Sequence, residues 1–231
     1  MRVFTLSEDM RIEVQQAQDA LMGRYPPLTL TYYDAGPKSP RDRVTVEDLG
    51  RVLIFGGFRG WKSATAILEA GESAPWTEVP ADLRLADHAD LSPSEWLQLP
   101  DVKGAYRLFS HLAGYERNAQ REAGTSKLLH LKWPHFFPII DGKIRTRFGH
   151  DAAAFQRHIS SRQSASTLAF WLWFRSGLTQ KGNEEALTAL QGQLGAQIGA
   201  ATEESPQLGG LTRLRLYDAI VWLAADGAFE N

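Results

Sequence analysis

The residues best suited to chemistry lie between positions 126 and 145, which read SKLLHLKWPHFFPIIDGKIR. The pattern predicts a helix that ends at Pro134, a short apolar connection, and a second helix that begins at Asp141. A carboxylate at a helix N-terminus is held by backbone N–H groups, which favour its ionised form. If it faces a cleft, it can orient water or stabilise a cationic transition state. Asp141 is therefore either a catalytic carboxylate or an ordinary helix N-cap, and spacing alone favours the cap.

Basic residues are concentrated around this segment. Positions 103–147 contain nine Lys or Arg and three Asp or Glu, whereas the remaining positions contain 16 and 24. This excess indicates either a local anion site or scattered surface charge. If the segment forms an anion site, we expect four of its residues to contact nucleic-acid phosphates: Lys132, Lys143, Arg145 and Arg147. Trp133 either stacks on a base or packs beside Pro134, and packing is the commoner role of such a residue.

Metal and cofactor chemistry finds little support in the sequence. The chain has no cysteine, which excludes disulfides, iron–sulfur clusters and thiolate zinc sites. His130 and His135 flank Trp133, but two histidines without a third ligand make a weak metal site. We therefore expect no metal and no cofactor. The sequence also lacks a Gly-x-Ser-x-Gly nucleophile motif and a glycine-rich phosphate loop after a strand, which argues against serine hydrolysis and nucleotide hydrolysis.

Helical patterns extend over most of the chain and predict an all-α, multi-helix globular domain. We expect one domain over 1–231, with two lobes at 1–100 and 101–231 as an alternative. Thr5 and Glu8 form a capping-box pattern that predicts a first helix, and Thr45 predicts the start of another. The best strand candidate is 28–33, which could equally be an extended connection, and 151–159 and 166–174 are expected to be separate helices. Arg215 and Asp218 lie three positions apart in the last predicted helix and are expected to form a structural intrahelical bridge.

Bulk composition is that of an ordinary globular protein. Hydrophobic residues make up 43% of the chain and the net charge is −2, which argues against a protein that coats nucleic acid generally. No apolar run approaches the length of a membrane span or of a signal peptide. We therefore expect a cytoplasmic protein without a membrane partner.

The stretch 137–145, FPIIDGKIR, resembles the segment around the catalytic aspartate of adenine-specific DNA glycosylases. These enzymes belong to the helix-hairpin-helix glycosylase superfamily. By position, Asp141 would be that aspartate, and Lys127 lies near the place where bifunctional members keep a Schiff-base lysine. The resemblance implies a glycosylase-like helical core, DNA as a partner and hydrolysis of an N-glycosidic bond. The glycine-rich hairpin of the superfamily is reduced to a single glycine at 123–127.

A second resemblance covers more of the chain. The chain resembles a family of uncharacterised, mainly actinobacterial proteins in which four of its segments recur in the same order. These segments are Thr31-Tyr-Tyr, the helix start after Arg43, the 126–141 stretch and the final helix 211–222. Two hypotheses follow. The first is a nucleic-acid-directed protein in which Asp141 and Lys127 line one open, positively charged cleft. The second is a non-enzymatic helical module that binds a protein partner or a small ligand, with Asp141 only a helix N-cap.

Overall fold

A computed structural model describes residues 2–24, 33–34, 39–57, 61–114, 119–160, 165–198, 208 and 211–230. Within these residues the fold consists of ten α-helices and one two-stranded sheet, which confirms the predicted multi-helix globular fold. The elements in chain order are β1 Val3–Thr5, β2 Arg11–Glu13, α1 Val14–Arg24, α2 Val46–Ile54, α3 Trp61–Gly71, α4 Pro93–Trp96, α5 Pro100–Ala113, α6 Ala119–Lys132, α7 Gly142–Ala153, α8 Ala165–Thr179, α9 Lys181–Ile198 and α10 Arg213–Ala225.

The capping-box pattern at Thr5 gave the wrong start for the predicted first helix, which is present as α1. Residues 3–5 and 11–13 pair as antiparallel strands instead, and α1 begins only at Val14. A distant residue accounts for the difference, because the buried Asn183 side chain accepts from the Thr5 amide at 2.7 Å and donates to the Thr5 carbonyl at 3.0 Å. Asn183 thus occupies both backbone groups of Thr5 and ties β1 to α9.

Local side-chain caps determine where two other helices begin, as predicted. Thr45 and Asp48 form a reciprocal capping box at the start of α2, and Asp141 is the N-cap of α7. The separate helix expected at 151–159 was wrong, because α7 continues to Ala153 and is followed by a single 3₁₀ turn, Gln156–His158. The predicted strand 28–33 lies outside the described residues except for Tyr33.

The hydrophobic core extends from Phe4 to Ala224 and is rich in aromatic rings. Trp171 on α8 is fully buried and meets the rings of Phe136 and Phe137 edge to face, with both centroids at 5.4 Å. The connection between α6 and α7 is therefore anchored in the core, which sets the position of Asp141. Helix α10 packs against α1, α7, α8 and α9. The hydroxyl of Thr212, just before α10, donates to the carbonyl oxygen of Pro134 at 2.7 Å, which holds the start of α10 near the C-terminal end of α6.

Candidate functional site

Asp141 stands where the buried 136–140 connection meets α7. Its Oδ1 atom accepts hydrogen bonds from the backbone amides of Lys143, at 3.0 Å, and Ile144, at 3.1 Å. These are the bonds of an N-cap, and they satisfy donors that have no partner within the helix. Asp141 itself is only partly exposed.

Lys127 lies on α6 with its side chain in the protein interior, and the residue is 4% exposed. Its Nζ atom donates to the carbonyl oxygen of Phe55 at 2.9 Å and lies 4.5 Å from the centre of the Phe55 ring. Burial lowers the pKa of the Lys127 ammonium, and the negative charge of Asp141 raises it in part. Lys127 and Asp141 are thus in electrostatic contact, although the Lys127 amine is bonded elsewhere.

Lys132 has a different environment from the phosphate contact that the sequence suggested. Its ammonium is fully buried and lies within 3.0 Å of four oxygen atoms, among which its three N–H donors are shared: Ser39 Oγ, Pro40 O, Arg43 O and Asp48 Oδ2. Burial lowers the pKa of Lys132, and the Asp48 charge raises it. The residue therefore joins the end of α6 to α2 and to the segment that precedes α2, and its contact with nucleic acid stays a prediction.

Trp133 packs within the protein. It is 2% exposed, its Nε1 atom donates to the Pro80 carbonyl at 2.9 Å, and its ring lies nearly parallel to that of Trp76 at 6.4 Å between centroids. Both the polar and the apolar parts of the indole are occupied by these contacts. Of the two roles that the sequence left open, the observed contacts are those of packing.

The basic side chains of α7 each have an acidic neighbour. Lys143 pairs with Asp226, Arg145 with Glu122 at 2.8 Å, and Arg147 with Glu230 at 3.7 Å. Arg145 is also bonded to Ser166 at 2.8 Å. These carboxylates offset the positive charge of α7 and so weaken the electrostatic attraction that a phosphate backbone would feel.

A buried network of hydrogen bonds and ion pairs, which the sequence analysis missed, involves residues of α10, α2 and positions 33–34. Arg215 donates from Nε to Asp34 Oδ1 at 2.7 Å and from Nη1 to Asp218 Oδ2 at 2.7 Å. Arg51 donates to the Tyr33 carbonyl, and the Tyr33 hydroxyl donates to the Lys127 carbonyl at 2.6 Å. We call Tyr33, Asp34, Arg51, Arg215 and Asp218 the Arg215 network. The sequence signalled only its local part, the Arg215–Asp218 bridge, which is confirmed.

Burial shifts the titration of the network and of its neighbour His130. It raises the pKa of Asp218 to about 7, against the lowering effect of the Arg215 charge and hydrogen bond. It lowers the pKa of His130 to about 3, and Arg215 lowers that pKa as well. His130 is therefore neutral near pH 7. Because its Nδ1 atom lies 2.7 Å from the Phe137 carbonyl oxygen, the tautomer with a proton on Nδ1 satisfies both atoms.

The Arg215 network borders a cavity of about 320 Å³ that lies between the end of α6 and the start of α10. We call it the Arg215 cavity, and its polar lining includes Tyr33, Arg41, Arg51, His130, Thr212 and Arg215. A second, wider cavity of about 770 Å³ opens between the β1–β2 turn, α7 and α8. Neither of these cavities is lined by Lys127 or Asp141. The described residues form no group of three or more His, Asp or Glu able to hold a metal ion.

Comparison with known proteins gives a family but no activity. A family model matches residues 21–225, which is most of the chain. The chain belongs to DUF6308, a family of unknown function. No curated protein and no solved structure matches it. The predicted membership of an uncharacterised family is confirmed, whereas the glycosylase resemblance stays a prediction. Among the described helices, none has the length and apolar character needed to cross a membrane.

Proposed function

We propose that the chain is a helical module that binds a small ligand in the Arg215 cavity, and that Asp141 acts as a helix N-cap. The observation that carries this proposal is that a cavity and a set of buried charged groups coincide. Arg51 and Arg215 are 9% and 3% exposed, and both line the cavity. Buried ionisable groups beside a cavity are common at functional sites, and 320 Å³ lies near the lower end of small-molecule sites.

Stability alone gives little reason to keep such a network. Removing two charges from water costs several kcal/mol per ion, and well-packed apolar residues often replace a buried ion pair without loss. The Arg215 network spans Asp34 and Arg215, which are 181 positions apart, so it also fixes the cavity wall. A preorganised set of donors beside a cavity is what tight binding of a polar ligand requires.

A second candidate function is base excision at Lys127 and Asp141. It is favoured by the lowered pKa of the Lys127 ammonium, since an amine nucleophile must lose its proton to react. The Asp141 carboxylate would then stabilise an oxocarbenium-like sugar cation. This candidate requires the Lys127 amine to leave the Phe55 carbonyl and nucleic acid to displace the carboxylates that pair with α7.

A thermal-shift screen of small molecules tests the proposed function. A ligand present at 100 times its Kd adds about 2.7 kcal/mol to the free energy of unfolding. We expect the variant Leu131→Trp, which narrows the cavity from a half-buried position on its wall, to lose this gain. Met22→Trp is the matched control, because Met22 is 58% exposed and does not line the cavity. If no compound stabilises the wild type, or if Leu131→Trp keeps the full gain, the proposal is wrong.

Two substitutions at Asp141 separate the roles of cap and catalyst. Asp141→Asn keeps an oxygen that can accept from the Lys143 and Ile144 amides, whereas Asp141→Ala removes it. As a cap, Asp141→Ala should cost about 0.5–2 kcal/mol of unfolding free energy and Asp141→Asn much less. Neither change should alter ligand binding in the Arg215 cavity.

Nucleic-acid binding is tested by titrating labelled single- and double-stranded DNA and RNA at two salt concentrations. The base-excision candidate predicts salt-dependent binding that weakens when Lys143 and Arg145 are changed to Ala. It also predicts a Lys127-dependent covalent product with abasic DNA after borohydride reduction, which Asp141→Asn diminishes. Absence of binding at low salt removes this candidate and leaves the ligand-binding proposal standing.

A further inference from the structure

The Arg215 cavity carries an excess of positive charge. Its charged lining in the described part of the chain consists of four cations and one carboxylate, namely Arg41, Arg51, Lys132, Arg215 and Asp34. Two more carboxylates approach from outside the cavity, where Asp48 bonds Lys132 and Asp218 bonds Arg215. Asp42 and Arg43 also act on Lys132, with opposite signs, so this set contains five cations and four carboxylates even when every acid is ionised. A ligand that enters this cavity therefore meets a positive potential, which a low-dielectric wall strengthens.

The two histidines of the lining respond to this charge. Burial lowers the pKa of His130 to about 3, and Arg215 lowers it too. Burial likewise lowers the pKa of His135, with Arg84 and Arg41 acting in the same direction. Both imidazoles are therefore neutral near pH 7. They add hydrogen-bonding capacity to the cavity without adding charge.

Arg41 is well placed to hold a ligand at the open side of the cavity. The residue is exposed, lines the cavity, and donates from Nε to the Lys132 carbonyl oxygen at 3.0 Å. A guanidinium has five N–H donors, and this bond fixes the group while using one of them. Thr212, the N-cap of α10, lines the same cavity, so the positive end of the α10 dipole lies there as well.

We infer that the ligand of the Arg215 cavity is a small molecule with an oxyanion group, a phosphate monoester or a carboxylate, bound by Arg41 beside the N-terminus of α10. This inference rests on the proposed function, since it names the chemical class of the ligand. The planar fork of a guanidinium matches two oxygens of either group. The cavity volume of about 320 Å³ suits a small metabolite.

Calorimetric titration with inorganic phosphate, a sugar phosphate, the same sugar without phosphate, and citrate tests the inference. We expect at least one of the three anions to bind the wild type more tightly at low than at high salt. In Arg41→Gln its Kd should rise by about tenfold or more, as the loss of a charge-assisted hydrogen bond predicts. Arg43→Gln is the matched control, because this neighbour is also exposed and does not line the cavity.

The outcomes separate the two proposals. The oxyanion assignment is wrong if the sugar phosphate and the free sugar bind with the same Kd. It is also wrong if Arg41→Gln and Arg43→Gln raise the Kd of the anion equally. If a neutral or cationic compound from the thermal-shift screen binds and Leu131→Trp abolishes that binding, the cavity is a ligand site and only the assignment fails. If neither the anions nor any compound of the screen binds, both proposals fail. Phosphate binding and citrate binding distinguish the two oxyanion sources.

Discussion

Replacing Lys132 with Met tests how much the buried Lys132–Asp48 ion pair contributes to the free energy of unfolding. The substitution keeps most of the length of the side chain and removes only the ammonium. Four oxygen atoms then lose their donor, and Asp48 remains in the interior with a side-chain exposure of 1%. Among the described residues, Asp48 Oδ1 already has no hydrogen-bond partner. Asp48 would keep the neutral donors, the Thr45 amide at 2.8 Å and the Ser39 hydroxyl, and would lose its cationic partner.

We expect Lys132→Met to lower the free energy of unfolding by about 3–5 kcal/mol, because this is the typical cost of leaving a buried charge without its partner. A domain is stable by only about 5–15 kcal/mol, so the loss is a large fraction of the whole. With a slope of roughly 3 kcal/mol per M, the urea midpoint should fall by about 1–1.7 M. Lys143→Met is the control, because its pair with Asp226 is about half exposed and is worth about 0–1 kcal/mol.

A companion variant tests the reason for the loss. Asp48→Asn removes the charge and keeps an oxygen for the Thr45 amide. In the background of Lys132→Met it should recover part of the lost stability, since the uncompensated carboxylate is gone. A loss below about 1 kcal/mol for Lys132→Met alone would refute the reasoning, because only a solvated ammonium is worth so little. Lys132 would then be available to phosphates after all.

Two further predictions concern the interior. Because burial raises the pKa of Asp218 to about 7, above the roughly 3.9 of an unfolded aspartate, the folded state binds more protons between these values. The contribution of Asp218 to stability is therefore full below about pH 4 and falls as the pH rises to about 7. The difference between the urea midpoints at pH 5 and pH 8 should be smaller in Asp218→Asn than in the wild type, and an equal difference in the two proteins would contradict this. A β-carbon on Gly177 would overlap the buried Tyr217 hydroxyl, so Gly177→Ala should cost about 1–3 kcal/mol, whereas Gly192→Ala, with nothing within 4 Å, should gain up to about 1 kcal/mol in urea unfolding.

Parts of the fold that depend on local bonds were predictable from the sequence. The caps at Thr45 and Asp141 are side-chain contacts within three residues, so their patterns are visible in the chain. The β1–β2 pair was not predictable, since the contact that favours it comes from Asn183, 178 positions away from Thr5. The tertiary hydrogen bonds of Asn183 hold Thr5 in a strand, although the local pattern at Thr5 favours a helix cap.

The candidate site divides in the same way. The basic residues of α7 were found by composition, but their acidic partners Glu122, Asp226 and Glu230 lie on other segments and were not anticipated. Arg215 was read as one half of a helical bridge to Asp218, which is correct. Its second partner, Asp34, belongs to a segment whose pairing no helical spacing can indicate. Long-range ion pairs carry no periodic signal, and they form the wall of the Arg215 cavity.

The two candidate sites are adjacent, and this determines which variants can distinguish them. Tyr33 joins them, because its hydroxyl is bonded to the Lys127 backbone and its carbonyl to Arg51. Asp141 also contributes to raising the pKa of Asp218, after the larger effect of burial. A change at Tyr33 or Asp218 would therefore disturb both the Lys127–Asp141 pair and the Arg215 cavity. Exposed side chains that belong to one site only, Arg41 for the cavity and Lys143 for α7, give the cleaner separation of ligand binding from nucleic-acid binding.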